Sequence, residues 1–404
     1  MSASPLSGLK VLDLSKVLAG PLCAQYLGDM GAQVIKVETP GVGDDTRDWP
    51  PLRKTTDEAA RAGAVFLSAN RNKRSIAIDL TRPTGREVVR RLIMQSDILI
   101  ESYGPGVADR LGLDAQTLKA LNPRLIHCRI SGFGSVGPMN HAKGYDVILQ
   151  AFCGMLSVTG QPDGEPVRSP FSPVDQATGL HALSGILAAL HHRTATGAGM
   201  RVEANLFDTA TAFMAYFLQS FWERGTEPKR AGSGHESLCP YQVFPTQDLP
   251  LILGVANDAL WRTFCKIAGL QDFAEDPRFR TNPERVAHRE ETVALVRGAL
   301  TQRPRDEWIR LFDQHGIPCS PVHTLGELSE HPHTRESGMV TTYDHPRFGP
   351  LKTVSLPLRF DGERPTLRRP APMHDEHGRE ILGELGFGDE EIAALARELA
   401  LGVK

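Results

Sequence analysis

The sequence lacks the features that mark a secreted or membrane-spanning protein. Its six cysteines are scattered over 404 residues, and no two of them form a Cys-x-x-Cys pair. This argues against a disulfide scaffold and a cysteine-rich zinc site, and it suits a reducing compartment. No apolar run approaches the ~18 residues that a membrane span needs. The amino terminus has no basic segment followed by a long apolar run, so we expect a cytoplasmic protein.

The chain also lacks a strong excess of charge of either sign. Its formal net charge is −3, so no general attraction to nucleic acid or to anionic membranes is expected. An anionic ligand would therefore need a local cluster of cations. An apolar content of 41% and a charged content of 23% are ordinary for a globular protein, and the length of the chain fits two domains.

Familiar catalytic and cofactor motifs are missing too. There is no G-x-S-x-G nucleophile elbow, no P-loop and no H-E-x-x-H zinc motif, and we predict no metal site. Residues Gly132–Gly137 read GFGSVG and fit the dinucleotide pattern G-x-G-x-x-G, but Pro138 and a non-helical segment follow them. Glycines of a dinucleotide site must open a helix, so this segment predicts a backbone turn instead.

The first part of the chain alternates short apolar segments with helical patterns. This favours an α/β fold with a doubly wound, mainly parallel, Rossmann-like sheet. The predicted strands contain LKVLDLS, QVIKVET, RSIAIDL, DILIESY and RLIHCRIS. Further on, the pattern predicts a long apolar helix at about 206–222, a strand in IPCSPVH and paired strands in TTYDHPRFGPLKTVSLPLRF.

A polar, glycine-rich stretch, ERGTEPKRAGSGHES, marks a candidate domain boundary. We expect residues 1–224 to form the first part of a large domain. Residues 225–324 are expected to form a smaller α+β domain. Residues 325–404 would return to complete the large domain.

Several segments resemble the class III CoA-transferases in shared order and spacing, nearly from end to end. They are LAGPLCAQYLGDMGAQVIKVETPGVGDDTRDW, NRNKRSIAIDL, IESYGPGVADRLGL, ISGFGSVGPMNHAKGYDVILQAFCGMLSVTG, PVDQATGLHALSGILAALHHRTATGAG and GREILGELGFGDEEIAAL. The resemblance implies an enzyme that moves CoA from an acyl-CoA donor to a small carboxylic acid, with no permanently bound cofactor. It also implies a homodimer whose protomers interlock like linked rings.

By this resemblance, Asp175 in the segment PVDQATG is the nucleophile. Its carboxylate would attack the thioester of an acyl-CoA to form a mixed anhydride, and the released thiolate would convert the anhydride to an aspartyl-CoA thioester. Asp175 also precedes a predicted apolar helix, where an aspartate alone would be an ordinary helix cap. The surrounding motifs favour the nucleophile, and the two roles are compatible. Gly179 and Gly185 within the helix predict close approach of another backbone or of the ligand.

The resemblance also assigns the CoA site, which needs cations because CoA carries a 3′-phosphate and a pyrophosphate. Asn72, Lys73, Arg74 and Ser75 would line the adenosine diphosphate, Ser102, Tyr103 and Gly104 would border the nucleotide, and Arg110 and Lys143 would contact its phosphates. One departure is Thr39, where some members of the family place an arginine against the adenine. Arg47 is a candidate replacement.

Tyr145 would border the thioester. The related α-methylacyl-CoA racemases have a histidine at this place, and a phenol with a pKa near ~10 is poorly suited to proton exchange at an α-carbon. Tyr145 therefore favours transfer, whereas His141, four residues away, keeps racemisation as an alternative. A CoA-binding protein without turnover is the other alternative.

Leu18 and Trp49 hold positions that approach the acyl group in the formyl-CoA enzymes of the family. Leu18 replaces a polar residue, and the glycine run of the oxalate enzymes is reduced here to Gly232 and Gly234. These departures favour a small dicarboxylic acceptor such as succinate, itaconate, mesaconate or glutarate. Arg47 and His235 are candidate partners for its distal carboxylate.

Overall fold

The structure, a computed structural model, describes residues 4–54 and 62–398. Within them the strands are β1 Lys10–Leu14, β2 Gln33–Glu38, β3 Lys73–Ala77, β4 Ile98–Glu101, β5 Ile126–Ser131, β6 Arg201–Asn205, β7 Tyr241–Phe244, β8 Leu251–Gly254, β9 Cys319–Pro321, β10 Val340–His345 and β11 Gly349–Val354. The helices are α1 Ala19–Asp29, α2 Ala64–Ala69, α3 Pro83–Met94, α4 Val107–Arg110, α5 Ala115–Leu121, α6 Asp146–Phe152, α7 Met155–Val158, α8 Pro173–Thr196, α9 Leu206–Phe213, α10 Ala215–Arg224, α11 Asp258–Ala268, α12 Asn282–Ala287, α13 Arg289–Leu300, α14 Arg305–Gln314, α15 Leu325–Glu330, α16 Pro332–Glu336, α17 Gly378–Glu384 and α18 Asp389–Glu398.

The chain divides into two compact units. The first comprises Met1–Cys153, Ser169–Leu218 and Pro332–Lys404, and the second comprises Gly154–Arg168 and Gln219–His331. The domain limits predicted near residues 224 and 324 stay a prediction.

A six-stranded parallel sheet forms the centre of the first unit. Its strand order is β3-β2-β1-β4-β5-β6, which confirms the predicted α/β, Rossmann-like sheet. The three residues Ile98, Leu99 and Ile100 of β4 are fully buried. Such continuous apolar runs are typical of parallel strands that are covered on both faces. Because all six strands point the same way, their carboxyl ends share one edge of the sheet.

The sequence pattern predicts five of these six strands and misses β6. Its residues, RVEAN, include Arg201 and Glu203 and contain no apolar run. β6 lies at the edge of the sheet and pairs with β5. The register runs from His127 opposite Arg201 to Ser131 opposite Asn205. An edge strand is partly exposed, so it needs no continuous apolar segment.

The long helix predicted at about 206–222 is wrong in one respect. The segment forms two helices, α9 and α10, which are separated at Met214. The Met214 N–H donates to the Thr211 carbonyl at 3.0 Å, a tighter turn than that of an α-helix. The sequence has no proline or glycine there, so the break leaves no local signal. The predicted strand β9 and the antiparallel pair β10–β11 are confirmed.

The second unit contains the antiparallel sheet β7-β8-β9. Helices α11 and α14 supply aromatic side chains to its core, where Trp261, Phe264, Trp308 and Phe312 are buried, and α13 adds Val296 and Leu300. No helix within residues 4–54 and 62–398 combines the length and apolar character that crossing a bilayer requires.

Buried ion pairs lie beneath the carboxyl end of β1. The Lys73 ammonium contacts Asp13 Oδ2 at 2.9 Å and donates to the Pro21 carbonyl and to Asn70 Oδ1, each at 2.8 Å. The Lys73 and Asp13 side chains have no exposed surface. A second pair joins Lys36 and Asp44 at 2.9 Å, equally buried. Removing one member of such a pair leaves the other as an uncompensated charge.

We therefore predict that Lys73→Met lowers the free energy of unfolding by about 3–5 kcal/mol, because Asp13 stays buried without its cation. Adding Asp13→Asn to this variant should recover part of the loss. Urea denaturation monitored by circular dichroism measures both effects. Lys119→Met, at an exposed position, is the matched control. Equal stability of Lys73→Met and Lys119→Met would contradict the prediction.

Candidate active site

The start of helix α8 is capped by a carboxylate from another helix. Ser172, the residue before α8, has φ +51° and makes no capping hydrogen bond with its side chain. Instead, Asp146 Oδ2 accepts from the backbone N–H groups of Val174 at 2.8 Å and Asp175 at 3.1 Å. The capping role considered for Asp175 therefore belongs to Asp146, and the Asp175 side chain does not serve as the cap.

A second residue fixes the orientation of Asp146. The Gln150 side-chain amide donates to Asp146 Oδ1 and to the Ser169 carbonyl, and Gln150 Oε1 accepts from Ser169 N–H at 2.8 Å. Asp146 and Gln150 lie on one face of α6, four residues apart. Helix α6 therefore holds both the cap and the chain segment that leads into α8.

The surroundings of Asp175 disfavour the charged form of its carboxyl group. Burial, and secondarily the negative charge of Asp146, raise the pKa of Asp175 to about 7. No hydrogen bond to its carboxylate is found in the part of the chain that the structure describes. A carboxylate that is desolvated and unpaired is poorly stabilised, and this arrangement suits a nucleophile.

Gly179 brings the starts of two helices together. A Cβ atom at Gly179 would lie 2.6 Å from the Ala19 carbonyl oxygen in α1, which is too close for any side chain. The predicted close approach of another backbone is thus confirmed at Gly179. At Gly185 the neighbour is a side chain, since a Cβ atom there would lie 2.6 Å from Val202 Cγ1. Because Asp175 lies one turn before Gly179, α8 presents it beside the start of α1.

Asp175 lines a cavity of about 290 Å³ at the carboxyl edge of the sheet. The walls come from the loops after β1, β4 and β5 and from the starts of α6 and α8. Seven of the predicted site residues line it, namely Leu18, Ser102, Tyr103, Gly104, Lys143, Tyr145 and Asp175. Ligands of parallel α/β sheets bind at this edge.

The segment Gly132–Gly137 forms a turn, and its residues Gly132, Phe133 and Gly134 line the cavity. Gly134 and Gly137 have φ +79° and +87°, which confirms the prediction of a backbone turn. At Gly132 the constraint is different, because a Cβ atom there would lie 2.6 Å from the backbone nitrogen of Gly144. The two glycines let this turn contact the loop that carries Lys143 and Tyr145.

A family model described as CoA-transferase family III matches residues 6–378. The chain belongs to this family. A succinyl-CoA:glutarate CoA-transferase from Mus musculus is 37% identical over 402 residues, which cover 100% of this chain and 91% of the relative. A formyl-CoA:oxalate CoA-transferase from Escherichia coli O157:H7 is 34% identical over 421 residues, which cover 99% and 100%. The crystal structure of a CAIB/BAIF family protein from Brucella suis superimposes with a TM-score of 0.83 at 37% identity, and covers 95% of this chain and 100% of that chain.

In this CoA-transferase, the residues predicted at the start of β3 are bonded to other protein groups. Lys73 is the buried partner of Asp13, so its ammonium is not available to a phosphate. Asn72, with φ +60°, donates to Asp29 Oδ1 at 2.8 Å. Arg74 pairs with Glu380 and Glu384 of α17. Ser75 Oγ donates to Glu38 Oε1 at 2.6 Å. None of these four residues lines the cavity of Asp175.

Arg47 pairs with a protein carboxylate, and its assignment to an acceptor or to adenine stays a prediction. Its guanidinium forms two hydrogen bonds to Glu38, at 2.8 and 2.7 Å, and stacks 3.7 Å from the centre of the Phe66 ring. Trp49 is partly exposed and does not line the cavity. His235 belongs to the second unit, where its Nδ1 accepts from Ser237 N–H at 3.1 Å.

Arg110 and His141 are exposed, and neither lines the cavity. Gly104, six residues before Arg110, and Lys143, two residues after His141, do line it. No group of three or more metal-ligating side chains occurs in the described residues.

Sequence reasoning misses three residues of this site: Lys16, Arg129 and Asp146. Lys16 and Arg129 line the cavity, and Asp146 caps α8. Arg129 lies inside a predicted strand, where a charged residue gives no local signal of function. Asp146 begins α6 but caps a different helix, α8, 28 residues further along the chain, so a local capping pattern gives no signal of this role.

The raised pKa of Asp175 makes the free energy of unfolding depend on pH. Because the folded protein binds this proton up to about pH 7, the contribution of Asp175 to the free energy of unfolding falls as pH rises from about 4 to 7. Asp175→Asn removes that cost, so its stability relative to the unmodified protein should be on the order of 2 kcal/mol more favourable at pH 8 than at pH 5. Urea denaturation at both pH values measures the difference.

Asp163→Asn is the matched control, since Asp163 is exposed in a loop. Its stability difference should not change between the two pH values. If Asp175→Asn showed the same flat response, the raised pKa of Asp175 would be refuted.

Proposed function

We propose that this CoA-transferase moves CoA from succinyl-CoA to a small dicarboxylic acid, with Asp175 as the covalent nucleophile. The observation that carries the proposal is the unpaired, largely buried Asp175 carboxylate, with its pKa raised to about 7, in the wall of a cavity. The substrate class is supported by the relative named succinyl-CoA:glutarate CoA-transferase.

The proposed reaction begins when an Asp175 carboxylate oxygen attacks the thioester carbon of the donor. The carbon–sulfur bond breaks, CoA thiolate leaves and a mixed anhydride remains. The thiolate then attacks Cγ of Asp175, which gives an aspartyl-CoA thioester and the free donor acid. The acceptor carboxylate attacks the same Cγ, forms a second anhydride and releases the thiolate again. Attack of the thiolate on the acceptor carbonyl yields the new acyl-CoA and regenerates Asp175.

The electrostatics of the site favour these intermediates. The anhydride and the thioester both leave Asp175 without a charge. Acylation therefore relieves the burial cost of the carboxylate and its repulsion by Asp146, the two causes that raise its pKa. Each acyl exchange conserves the energy of a thioester, so the overall reaction costs little free energy. Removal of the charge on the buried Asp175 carboxylate lowers the barrier to forming the aspartyl intermediate.

Two cations of the cavity wall, Lys16 and Lys143, supply the attraction that anionic substrates need. Leu18 contributes an apolar contact in the same wall. Racemisation is less well supported, because His141 does not line the cavity while Tyr145 does. The carboxylate beside Asp175, Asp146, is occupied by the backbone N–H groups of α8, which fits transfer better than two-base proton exchange.

We further propose a cytoplasmic homodimer of interlocked, ring-like protomers, with residues 325–404 returning to complete the large domain begun by 1–224. Apolar side chains exposed near the cavity loops support such an assembly. Val136 is 85% exposed, and Phe152 and Phe171 are more than half exposed. Val136 and Phe152 line one cavity, and neighbouring exposed apolar groups are typical of a protein–protein interface.

Loss of the nucleophile should stop transfer while substrate binding persists. We expect Asp175→Ala to lower the rate of exchange between succinyl-CoA and labelled succinate by about 10³-fold or more. CoA affinity, measured by calorimetry, should stay within about threefold because the phosphate contacts remain. Asp163→Ala is the control and should exchange at the normal rate. A non-catalytic CoA-binding protein would show no exchange in any variant, and full exchange by Asp175→Ala would exclude the covalent route.

An acceptor panel tests the proposed substrate class. With succinyl-CoA as the donor, we expect kcat/KM to be at least about tenfold higher for glutarate, itaconate or mesaconate than for butyrate, since one charge-assisted contact is worth about 1.5–3 kcal/mol. Formation of each new acyl-CoA is followed by chromatography and mass spectrometry. Turnover with butyrate or carnitine alone would reject the dicarboxylic class, and turnover with oxalate alone would exclude the longer acids glutarate, itaconate and mesaconate.

A further inference from the structure

Arg129 projects from β5 at the level where the sheet meets the cavity. It is paired in register with Glu101 of β4 and with Glu203 of β6, so it lies between two acidic residues on neighbouring strands. Arg129 also lines the cavity that contains Asp175. The assignment of the CoA site by resemblance does not include it.

Glu101 compensates the charge of Arg129 but accepts no hydrogen bond from the Arg129 guanidinium. The Glu101 side chain is fully buried, and its Oε1 lies 3.6 Å from Arg129 Nε and 3.8 Å from His127 Nε2. Both distances exceed those of a normal hydrogen bond. The other carboxylate oxygen of Glu101 accepts from Tyr103 N–H at 2.8 Å, which ties the cavity loop after β4 to the same acid.

Unpartnered polar atoms concentrate in this cluster. Among the described residues, nine buried side-chain nitrogen and oxygen atoms have no hydrogen-bond partner. Four of them are Glu101 Oε1, Arg129 Nε and both ring nitrogens of His127. Buried polar groups without partners are rare in folded proteins, and a concentration of them beside a cavity points to a ligand contact.

The terminal nitrogens of Arg129, a partly buried residue, differ from those of two buried arginines. Arg71 and Arg285 donate from both terminal nitrogens to protein oxygens. For Arg129, no acceptor for either terminal nitrogen is found within residues 4–54 and 62–398. A fifth of its side chain is exposed, and the residue lines the cavity, so these donors face that space. A guanidinium fork matches the oxygens of a phosphate or carboxylate.

We propose that Arg129 binds an anionic group of the substrates inside the Asp175 cavity, with Glu101 holding the guanidinium in position. The group is either a phosphate of CoA or the distal carboxylate of a dicarboxylic acid, since both present paired anionic oxygens. This inference rests on the proposed transfer function and adds a specificity-determining residue to the same site. The acceptor carboxylate that reacts at Asp175 is a different group from the one bound by Arg129.

The test measures binding and kinetics of Arg129→Gln. Calorimetry compares CoA with pantetheine, which lacks every phosphate, and needs no turnover. A failure of the transfer function and a failure of this contact are therefore distinguishable. If Arg129 binds a phosphate, CoA affinity falls about tenfold to a hundredfold, whereas pantetheine affinity is unchanged. If Arg129 binds a carboxylate, CoA affinity is unchanged and KM rises by a similar factor for glutarate but not for butyrate.

Arg129→Lys keeps the charge and should restore part of the lost affinity. The difference between CoA and pantetheine, or between glutarate and butyrate, is the readout that a purely structural role would not produce. Arg90→Gln, at an exposed position on α3, is the control and should bind and turn over normally. If Arg129→Gln fails to fold because Glu101 is left uncompensated, the double variant Glu101→Gln/Arg129→Gln removes both charges and takes the same measurements. Unchanged values for all four ligands, or equal weakening of all four, would overturn the proposal.

Discussion

The contact between Asp146 and the first turn of α8 is the constraint on which the candidate site depends. One carboxylate oxygen of Asp146 satisfies two backbone N–H groups of the helix, including that of Asp175. The same contact fixes a negative charge beside the Asp175 side chain. Burial and this charge keep the Asp175 carboxyl near the midpoint of its titration at neutral pH. In the proposed mechanism, the ionised fraction of this group attacks the donor, and the group gains stability when acylation removes its charge.

The position of Asp175 depends on close backbone contacts as well as on charge. Gly179 lets α8 lie against the start of α1, and Gly132 and Gly144 let two loops of the cavity wall touch. A methyl group at any of these three positions would overlap backbone atoms that cannot move without shifting a helix or a strand. Because these three glycines have no side chain, the backbone segments can approach closely and form the site at the carboxyl edge of the sheet.

Beneath the site, charged residues serve the fold. The pairs Asp13–Lys73, Lys36–Asp44 and Glu38–Arg47 are buried at the carboxyl ends of β1 and β2. The Lys36 ammonium also donates to the Ser15 carbonyl at 2.9 Å, at the start of the loop that contributes Lys16 and Leu18 to the cavity. The buried network therefore supports the loop, and the cations that line the cavity are different residues.

The sequence predicted those parts of the molecule that depend on local pattern or on shared motifs. Five strands of the sheet follow from apolar segments, whereas β6 is missed because an edge strand needs no such segment. Asp175, Tyr145 and Lys143 lie in one cavity, as the resemblance implied they would. Lys73 does not join them, because its partner Asp13 becomes its neighbour only when the strands pair. Arg47 does not join them either, because its guanidinium folds back onto Glu38, nine residues earlier in the chain. The sequence does not predict a role for Arg129, because Arg129 lies beside Glu101 only through the register in which β4 and β5 pair.

The central claim is that the Asp175 side chain becomes joined to CoA during turnover. Its most direct test is to mix the protein with succinyl-CoA without an acceptor, trap the intermediate with hydroxylamine or borohydride, and locate the modification by peptide mass spectrometry. The account predicts a hydroxamate or a reduced, alcohol-bearing side chain at position 175 and at no other acidic residue. A protein that transfers CoA at its full rate while residue 175 stays unmodified, or one modified at a different carboxylate, would contradict it.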